Sequence, residues 1–413
     1  MKLELHILQN FPPHNLNRDD TGSPKDTEFG GYRRARISSQ CLKRSIRMSD
    51  EFANELSGRI GKRTKRAVKV IADKLQAEHG KEAEEAKAVA SAVISRLIAR
   101  TDDEGKTNVL FYVGNDELES IATRVEENWE AISPALSAWL AVKSDGEDDE
   151  GSKKKSKAEK DAEKNAEKAL EDSIADLVKT YLNDHKGYVG SVDIALFGRM
   201  LAEQPILNID AACQVAHAIS TNRVSMEFDY FTAVDDLNPD EETGAGMIGT
   251  VGYNSSCFYR YAVIDLDQLA ENLGGEQDLA KEGARAFIRG AVAAIPSGKQ
   301  NSFAAHTPPS FVMTVLREKG SSPMSLANAF EQPIRPSEKL SLVDKSISAL
   351  DTHWKKLAEA YGSNGTHPFA MSVSNATEPL EHLADHRCKN LNHLVDQTMA
   401  TIDSIWMSGN GVA

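Results

Sequence analysis

The chain has 413 residues, enough for two or three structural units, since one domain usually takes about 100–200 residues. Apolar residues make up 40% and charged residues 27%, as in an ordinary globular protein, and no apolar run reaches the length of a signal peptide or a membrane span. The formal net charge of −14, taken alone, argues against a nucleic-acid partner.

The cysteines are scattered along the chain, at Cys41, Cys213, Cys257 and Cys388. None of them has the short C-x-x-C spacing of a zinc site, and their positions do not suggest a disulfide framework. Free thiols fit a reducing compartment. We therefore expect a cytoplasmic protein without a cysteine-bound metal.

The charge is distributed unevenly. Residues 30–69 carry twelve basic side chains against three acidic ones, a formal charge of +9, so the rest of the chain sums to −23. A concentrated basic surface on an acidic body holds a polyanion in one place only. The basic residues are Arg33, Arg34, Arg36, Lys43, Arg44, Arg47, Arg59, Lys62, Arg63, Lys65, Arg66 and Lys69.

The first predicted elements are a strand, a loop and a helix. Leucine and isoleucine alternate with polar residues over 2–9, which is the period of a half-buried strand. The Pro-, Asn-, Asp- and Gly-rich stretch 11–31 predicts a long functional loop. Ser38 and Ser39 then begin a helix. Its inner face is predicted to hold Cys41, Leu42, Ser45, Ile46 and Met48, and its outer stripe Gln40, Lys43, Arg44 and Arg47.

The middle of the chain is predicted to be mostly helical. From about 64 to 143 the pattern is helical and Ala-rich, and residues 144–169 are of low complexity. Lysines recur there every three or four residues, which favours an exposed helix or a partly disordered arm. They are Lys153, Lys157, Lys160, Lys164 and Lys168.

Strand signals return in the second half. Short β-prone pieces over 223–255 flank a Gly- and acid-rich tip and predict a protruding hairpin. A strand at 256–264, a helix at about 277–295 and a strand at 311–316 follow. Strand–helix pieces at both ends, with helical and hairpin insertions between them, predict an α+β core.

The segment 29–47, FGGYRRARISSQCLKRSIR, carries the strongest chemical signal. A phosphate backbone needs several cations in register, and the amides of a helix N-terminus add donors. The Ser-Ser-Gln at 38–40 lies at such an N-terminus, and Lys43, Arg44 and Arg47 continue the positive track. The alternative interpretation is a solvated basic helix without a ligand.

Two patterns suggest ligands but lack the required context. GAGMIG at 244–249 matches G-x-G-x-x-G, yet no buried strand precedes it and no helix follows, so no dinucleotide cofactor is predicted. His382 and His386, with Cys388 and His393 nearby, have a spacing that a metal can use. A polar surface helix without metal is the preferred interpretation.

Adjacent acids in the N-terminal loop are a third candidate. Asp19 and Asp20 could hold a divalent cation for phosphodiester cleavage. Neighbouring acids in an Asn/Asp/Gly loop are more typical of turns. No Ser/His/Asp set or P-loop has the local context that it needs.

Several stretches, taken in order, form a recognisable set. They are LNRDD at 16–20, KDTEFGGYRRARISSQCLKR at 25–44, VDIALFGRM at 192–200, FTAVDDL at 231–237, FYRYAVIDLDQLAENLGG at 258–275, KQNSFAAHTPPSFV at 299–312 and PMSLANAFE at 323–331. Together they resemble the CasC family, the backbone subunit of the type I-E CRISPR Cascade complex. The helical insertion and the residues after about 335 show little likeness.

The resemblance implies an α+β architecture shaped like a right hand. It would have an RRM- or ferredoxin-like palm (1–60, 189–222 and 256–413), a helical fingers insertion (61–188) and a β-hairpin thumb (223–255). In that family several copies line up along the CRISPR RNA spacer, each palm grips the RNA backbone, and each thumb folds over the RNA bound by its neighbour. One base is displaced at regular intervals, and the others stay open to target DNA.

The resemblance also implies partners and site residues. We expect a non-catalytic protein without cofactor that assembles with CRISPR RNA, target DNA, further copies of itself and other Cascade subunits. Met200 resembles the residue that packs on a base beside the kink, and Phe231 and Thr232 resemble the thumb residues wedged at the displaced nucleotide. The lysine stripe at 153–168 resembles a fingers helix that contacts target DNA. The residues placed on the RNA backbone are Arg18, Lys25, Ser38, Gln40, Lys43, Arg44 and Arg47.

Two other functions stay open. Backbone subunits of type III CRISPR complexes resemble this architecture and cut target RNA with a loop aspartate and a divalent metal, a role open to Asp19 or Asp20. The I-E-like NRDD and RRARISSQ favour the non-cleaving branch. A free-standing RNA-binding module is the third possibility, and it would saturate as one copy per site.

Overall fold

The computed structural model describes residues 1–102, 104–144, 157–234, 236–237, 247–374 and 380–409, with the backbone alone at 144, 157–160 and 163. The strands are β1 (Lys2–His14), β2 (Asp26–Phe29), β3 (Tyr32–Ile37), β4 (Lys62–Thr64), β5 (Phe111–Val113), β6 (Cys213–Val215), β7 (Ala218–Ser220), β8 (Glu227–Ala233), β9 (Met247–Asp265), β10 (Phe311–Arg317) and β11 (Thr366–Ser372). The helices are α1 (Ser39–Arg47), α2 (Asp50–Glu55), α3 (Ala67–His79), α4 (Ala83–Leu97), α5 (Asn115–Glu127), α6 (Trp129–Ser144), α7 (Lys157–Ser173), α8 (Ala175–Asp184), α9 (Val192–Phe197), α10 (Leu266–Asn272), α11 (Gln277–Ala293), α12 (Gln300–Phe303), α13 (Leu342–Tyr361) and α14 (Leu391–Gly409).

The main sheet is antiparallel and has β1 near its centre. The strand order is β11-β10-β1-β9-β7-β3-β2, and β6 and β8 pair with other parts of β9. Helices cover both faces of β1: α13 packs over the side that carries Leu8, and α1 and α11 pack over Leu5 and Ile7. The predicted α+β class is confirmed.

The prediction that the first strand is half-buried was wrong. Glu4 and His6 lie on the face opposite Leu5 and are as fully buried as the leucines. The buried carboxylate is tolerated because it accepts hydrogen bonds from Arg317 Nε and from the Tyr261 hydroxyl, each at 2.7 Å. Polar residues with hydrogen-bond partners on neighbouring strands thus occupy the face of β1 that the alternating pattern predicted to be exposed to solvent.

The irregular segment after β1 is shorter than the predicted loop over 11–31. β1 itself continues to His14, and β2 and β3 form a hairpin. Its two-residue turn is Gly30–Gly31, with φ values of 61° and 78°, as a type I′ turn requires. A Cβ at Gly30 would lie 2.1 Å from the Glu331 carbonyl oxygen. Only residues 15–25 remain as a loop.

The predicted hairpin over 223–255 and the strand over 256–264 are both present, joined in one long strand. β8 pairs with the first part of β9, from Glu227 opposite Tyr253 to Ala233 opposite Met247. β9 then runs on into the main sheet beside β1. Every β8 side chain is exposed, whereas Cys257–Tyr259 are buried. Residues 235 and 238–246, which include the start of GAGMIG, lie outside the described residues.

The described chain divides into two compact units. The sheet unit comprises Met1–Leu56, Cys213–Asp267 and Lys281–Ala413, and the helical unit comprises Ser57–Ala212 and Gln268–Ala280. The division into palm, fingers and thumb stays a prediction, but 189–212 and 268–280, assigned to the palm, cluster with the helical unit. One cause is Asn272, whose side-chain amide donates to the carbonyls of Ala195 at 2.9 Å and Asp210 at 2.8 Å.

The helical unit has its own apolar core. Helices α3 to α8 share a cluster of alanine, valine, leucine and isoleucine side chains, as the helical pattern over 64–143 predicted. A buried ion pair joins Arg199 to Glu117 at 2.8 Å, and Arg199 also donates to the Leu207 carbonyl at 2.9 Å. No helix of the described residues is long and apolar enough to cross a membrane.

The C-terminal part confirms α11 and β10 but not the surface helix around His382. Residues 384–386 form one short 3₁₀ turn, Cys388 N–H donates to the Ala370 carbonyl at 2.7 Å, and α14 begins only at Leu391. The Asp351 carboxylate accepts the N–H groups of residues 381–383 and fixes this turn. His382 and His386 therefore do not share a helix face.

Candidate nucleic-acid interface

Helix α1 begins where the sequence predicted. The Ser38 hydroxyl is the N-cap and accepts from the Cys41 N–H at 3.3 Å, while the Ser38 N–H donates to Asn17 Oδ1 at 2.8 Å. Ser38 is therefore first a structural residue, although a hydroxyl that accepts in a cap keeps its own proton for donation. Leu42 and Ile46 face the core as predicted, but Met48 was wrongly placed there, since it is 61% exposed.

Cations from the loop and from α1 converge near Cys41. Arg44 is exposed on the outer stripe, and Lys25 is half-buried at the end of the loop. Burial raises the pKa of the Cys41 thiol, and the charges of Lys25 and Arg44 oppose this rise. Charges act on a pKa in this way only from close by. The structure thus brings together two of the predicted RNA-binding cations from separate elements.

The remaining residues of the stripe surround the same helix. Gln40 is exposed, and Lys43 and Arg47 are half-buried. Burial raises the pKa of the Cys213 thiol to about 12, and the charge of Lys43 opposes it, so Lys43 lies toward β6. Gln40 and Arg44 thus face solvent as the predicted outer stripe requires, whereas Lys43 and Arg47 lie at its half-buried edge.

Arg36 extends this positive surface, and the sequence did not assign it to the site. Its guanidinium lies 3.3 Å from His217 Nδ1 and donates to the Asp26 carbonyl at 3.1 Å. Burial lowers the pKa of His217, and the charges of Arg36 and Lys25 lower it further. The surface therefore reaches from the loop across β3 toward the β6–β7 turn.

Arg34 was wrongly counted in the basic surface. It is fully buried, and its guanidinium donates to the carbonyls of Ser220, Thr221, Phe330 and Glu331 at 2.7–3.0 Å. Burial lowers the pKa of Arg34. Four backbone acceptors hold this cation in the core, so it does not face a ligand.

The loop before β2 is organised by Asp19. Its carboxylate accepts from the Thr21 hydroxyl at 2.8 Å, the Thr21 N–H at 3.0 Å and the Ser23 N–H at 2.9 Å. These bonds, led by the Thr21 hydroxyl, lower the pKa of Asp19. The carboxylate thus has the role of a turn former. In the described ranges, no three His, Cys, Asp or Glu side chains are grouped as metal ligands.

Arg18 and Arg44 line one open groove of the sheet unit. The groove has a volume of about 1000 Å³ and is bounded by the loop, by α1 and by residues 293–306. Met48 contributes exposed apolar surface to its wall, and acidic residues at 19–20 and 50–51 make its charge mixed. The groove offers room beside the cations of the loop and α1.

The hairpin residues Phe231 and Thr232 lie on opposite sides of the β8–β9 ribbon. Phe231 is 39% exposed and lies opposite Gly249, where a Cβ would come within 2.3 Å of its ring. The glycine therefore makes room for the ring to lie across the ribbon. Thr232 is exposed and faces Ile248 across the strands.

Met200 is an exposed residue of the helical unit, and polar contacts hold both of its neighbours in sequence. It follows Arg199, which the Glu117 ion pair holds, and it precedes Leu201, whose N–H donates to Asn208 Oδ1 at 2.6 Å. Its own side chain is 86% exposed. An apolar side chain held in solvent between two anchored residues adds nothing to the core, which is consistent with a contact surface.

Only part of the predicted lysine stripe can be placed. Lys153 lies outside the described residues, and Lys157 and Lys160 are described by backbone alone in α7. Lys164 and Lys168 are exposed. Helix α7 carries four lysines against six acidic residues, so its formal charge is −2.

Comparison with known proteins gives a consistent result. A family model described as CT1975-like protein matches residues 3–397. A chain of a "CRISPR RNA-guided surveillance complex, pre-nicking" is 30% identical, with a TM-score of 0.76 over 97% of this chain and 100% of that chain. A chain of a "CRISPR RNA-guided surveillance complex" is 26% identical, with a TM-score of 0.68 over 97% and 100%. No curated protein matches.

The chain thus shares its α+β fold with chains of CRISPR RNA-guided surveillance complexes. The chain belongs to the CT1975-like family, because the family model spans nearly all of it. The resemblance to CasC proteins seen in the sequence is confirmed.

Proposed function

We propose that this protein is a repeating, non-catalytic backbone subunit of a type I-E CRISPR surveillance complex. It binds the phosphates of the CRISPR RNA spacer, adds further copies along the RNA beside other Cascade subunits, and leaves bases free to pair with target DNA. Family membership supports the proposal, as do the two similar chains from RNA-guided complexes. The observation that carries it is the groove beside α1, which Arg18 of the loop and Arg44 of the helix both line.

The chemistry of this surface suits a backbone rather than a base sequence. Arginine, lysine and hydroxyl groups hold phosphates without distinguishing bases. A subunit that serves any spacer requires this property. The N-cap bond of Ser38 and the Asn17 contact fix α1 to the loop, so the cations are held in register before RNA binds.

The exposed hairpin supports assembly of copies. A two-stranded ribbon alone is marginally stable in water, and this one carries exposed Phe228, Tyr230 and Ile248. Apolar patches of this kind usually contact another molecule. In the proposed assembly the hairpin covers the RNA and the surface of the next copy, and Phe231 is the wedge at a displaced base.

A salt titration of single-stranded RNA binding tests the phosphate surface. The triple variant Lys43→Ala, Arg44→Ala, Arg47→Ala should weaken binding to every RNA sequence alike and reduce the salt slope by about 2, roughly 0.7 for each lost phosphate contact. The control Lys319→Ala, Lys355→Ala, Lys356→Ala removes the same charge from exposed positions of the sheet unit. Equal affinity of the triple variant and the wild type would reject the assignment.

The non-catalytic part of the proposal has its own test. Cleavage by a loop aspartate would require Asp19 or Asp20 to bind a divalent metal, whereas the Asp19 carboxylate already organises its own turn. We expect the assembled complex, incubated with magnesium and complementary RNA, to leave that RNA intact. Periodic cuts abolished by Asp19→Ala or Asp20→Ala would favour the type III-like enzyme instead.

A further inference from the structure

A second basic cluster lies on the helical unit. We call it the β4 cluster, since it surrounds that strand. All its side chains are exposed, and no acidic residue occurs between Leu56 and Ala72, so the segment carries a formal charge of +6. Its members are Arg59, Lys62, Arg63, Lys65, Arg66 and Lys69.

The backbone under the β4 cluster is fixed at several points. The Arg59 carbonyl accepts from the Val192 N–H at 2.9 Å, and the Lys65 carbonyl accepts from the Thr107 N–H at 2.9 Å. Between them, β4 pairs with β5. The basic side chains thus project from a segment whose backbone is held by hydrogen bonds to neighbouring segments, not from an unsupported loop.

The acidic residues near the cluster are engaged elsewhere. Buried Asp193 accepts from the Gly61 N–H at 2.7 Å and from the Tyr112 hydroxyl at 2.6 Å. Glu104 pairs with Lys106, which is the main cause of its lowered pKa, and the charge of Arg66 contributes less. Within the described part of the chain, no member of the β4 cluster forms an ion pair. No acidic side chain of the described residues is thus paired with the positive charge of the cluster.

Arg63 adds a planar group to the cluster. Its guanidinium lies over the Tyr112 ring of β5, 4.5 Å from the ring centre, while its side chain stays exposed. An arginine held in this way is ready for bidentate contact with a phosphate.

We propose that the β4 cluster binds the phosphate backbone of target DNA. A nucleic acid fits better than an acidic protein surface, because protein interfaces are depleted of lysine and have an apolar core. Nucleic-acid interfaces are far more positively charged. The choice of DNA rests on the proposed function: the guide is assigned to the sheet-unit surface, and the remaining polyanion of such a particle is the DNA.

The β4 cluster is a better phosphate site than the α7 lysines predicted for this role. On α7, Glu167 and Glu171 follow Lys164 and Lys168 by three residues and so lie beside them on the helix surface, and the helix sums to −2. Nearby carboxylates repel phosphates and compete for the lysines. The β4 cluster has cations without interspersed acids.

Matched variants of the guide-loaded complex test the proposal. Lys62→Ala, Lys65→Ala, Arg66→Ala, Lys69→Ala removes four charges and spares Arg63, which packs on Tyr112. The control removes the four α7 lysines at 157, 160, 164 and 168. We expect the first variant to bind complementary DNA at least about ten-fold more weakly at roughly 150 mM salt, with a salt slope reduced by about 0.9 for each lost contact. The α7 variant should stay within about two-fold of the wild type.

Guide retention and particle mass, measured in the same samples, separate the outcomes. Both variants should retain the guide and the mass of the wild type. Unchanged DNA affinity in the β4 variant, or equal losses in both variants, would overturn the proposal. Loss of mass without loss of DNA affinity per particle would make the cluster a protein interface. A wild-type particle without guide-dependent DNA binding would refute the proposed function instead.

Discussion

At the scale of single residues, adjacent arginines of one strand have opposite roles. Arg33 is 62% exposed and pairs with Asp26 at 3.2 Å. Arg34 is buried and satisfies backbone carbonyls of two other segments, 220–221 and 330–331. Both residues carry a guanidinium group, but that of Arg33 faces solvent and that of Arg34 is surrounded by backbone carbonyls. Removing a buried group that serves several acceptors costs far more than removing an exposed ion pair.

The pair provides a test of stability. Arg34→Lys should lower the free energy of unfolding by about 3 kcal/mol, because one ammonium cannot reach four carbonyls and leaves some without a donor. Arg33→Lys at the exposed neighbour should cost less than about 1 kcal/mol. Denaturant unfolding followed by circular dichroism measures both. Similar losses in the two variants would contradict the structural role of Arg34.

At the scale of elements, α13 has a cap that depends on pH. The Ser341 hydroxyl donates to Asp344 Oδ2 at 2.6 Å, and the Ser374 hydroxyl donates to Oδ1 at 2.6 Å. These bonds, led by that of Ser341, lower the pKa of Asp344 below its ordinary value of 3.8, although burial opposes them. Such a carboxyl stabilises the folded state above 3.8, and this stabilisation is lost as the pH falls through the lower folded-state pKa.

Asp344→Asn should therefore lower the melting temperature near neutral pH. The difference from the wild type should shrink as the pH is lowered below 3.8, because the wild-type carboxyl then becomes neutral too. Melting curves across this range give the result. A difference that stays constant down to the acid limit of folding would show that the charge of Asp344 has no part in the cap.

The hairpin is the second element with a testable role. Phe228→Ser with Tyr230→Ser should leave the free energy of unfolding of one copy within about 0.5 kcal/mol per residue, since both side chains are exposed. If a neighbour buries them, each contact between copies should lose about 3 kcal/mol, roughly 100-fold in cooperativity on long RNA.

Tyr361→Ser with Met407→Ser removes similar exposed apolar surface away from the hairpin and is the control. Binding isotherms on long and on single-site RNA distinguish cooperativity from intrinsic affinity. Equal cooperativity in both double variants would contradict a hairpin contact between copies.

At the scale of the whole molecule, assembly on RNA should depend on guide length. A repeating subunit adds copies as the spacer lengthens, whereas a free-standing module binds one copy per site. We expect the mass of the complex, measured by light scattering, to rise in equal steps as the spacer is extended. Saturation at one copy on a long RNA would support the free-standing module and contradict the proposed function.

Much of the fold follows from local patterns. The helices over 64–143, the N-cap at Ser38, the hairpin and the strand β10 agree with periodicity and capping residues. The FGGY turn was missed inside a predicted loop, although Gly-Gly between strands is itself a hairpin signal. The burial of Glu4 depends on Arg317, that of His6 on Tyr259, and the 3₁₀ turn near His382 on Asp351, all of them distant in sequence. No local pattern contains them.

The candidate site likewise has features that the sequence predicts and features that depend on tertiary contacts. A run of cations in the sequence indicates a phosphate ligand, but RRAR does not show which arginine is buried. Arg18 and Arg44 line one groove although they are distant in sequence, and the bond from the Ser38 N–H to Asn17 ties the loop to α1 there. Arg36 extends the basic surface through its contact with His217, which lies in the turn between β6 and β7.

Periodicity, capping and charge are local properties of a chain, and they were enough to predict the α+β class and the position of the basic segments, while the ordered motifs carried the resemblance to a family. Which of those charges are available for a ligand depends on the folded protein. Burial and hydrogen-bond partners come from segments that are remote in sequence, as the carbonyls around Arg34 and the anchored backbone under the β4 cluster illustrate. Long-range contacts decide whether a cation belongs to the core or faces a ligand, since the cost of desolvating it depends on what surrounds it.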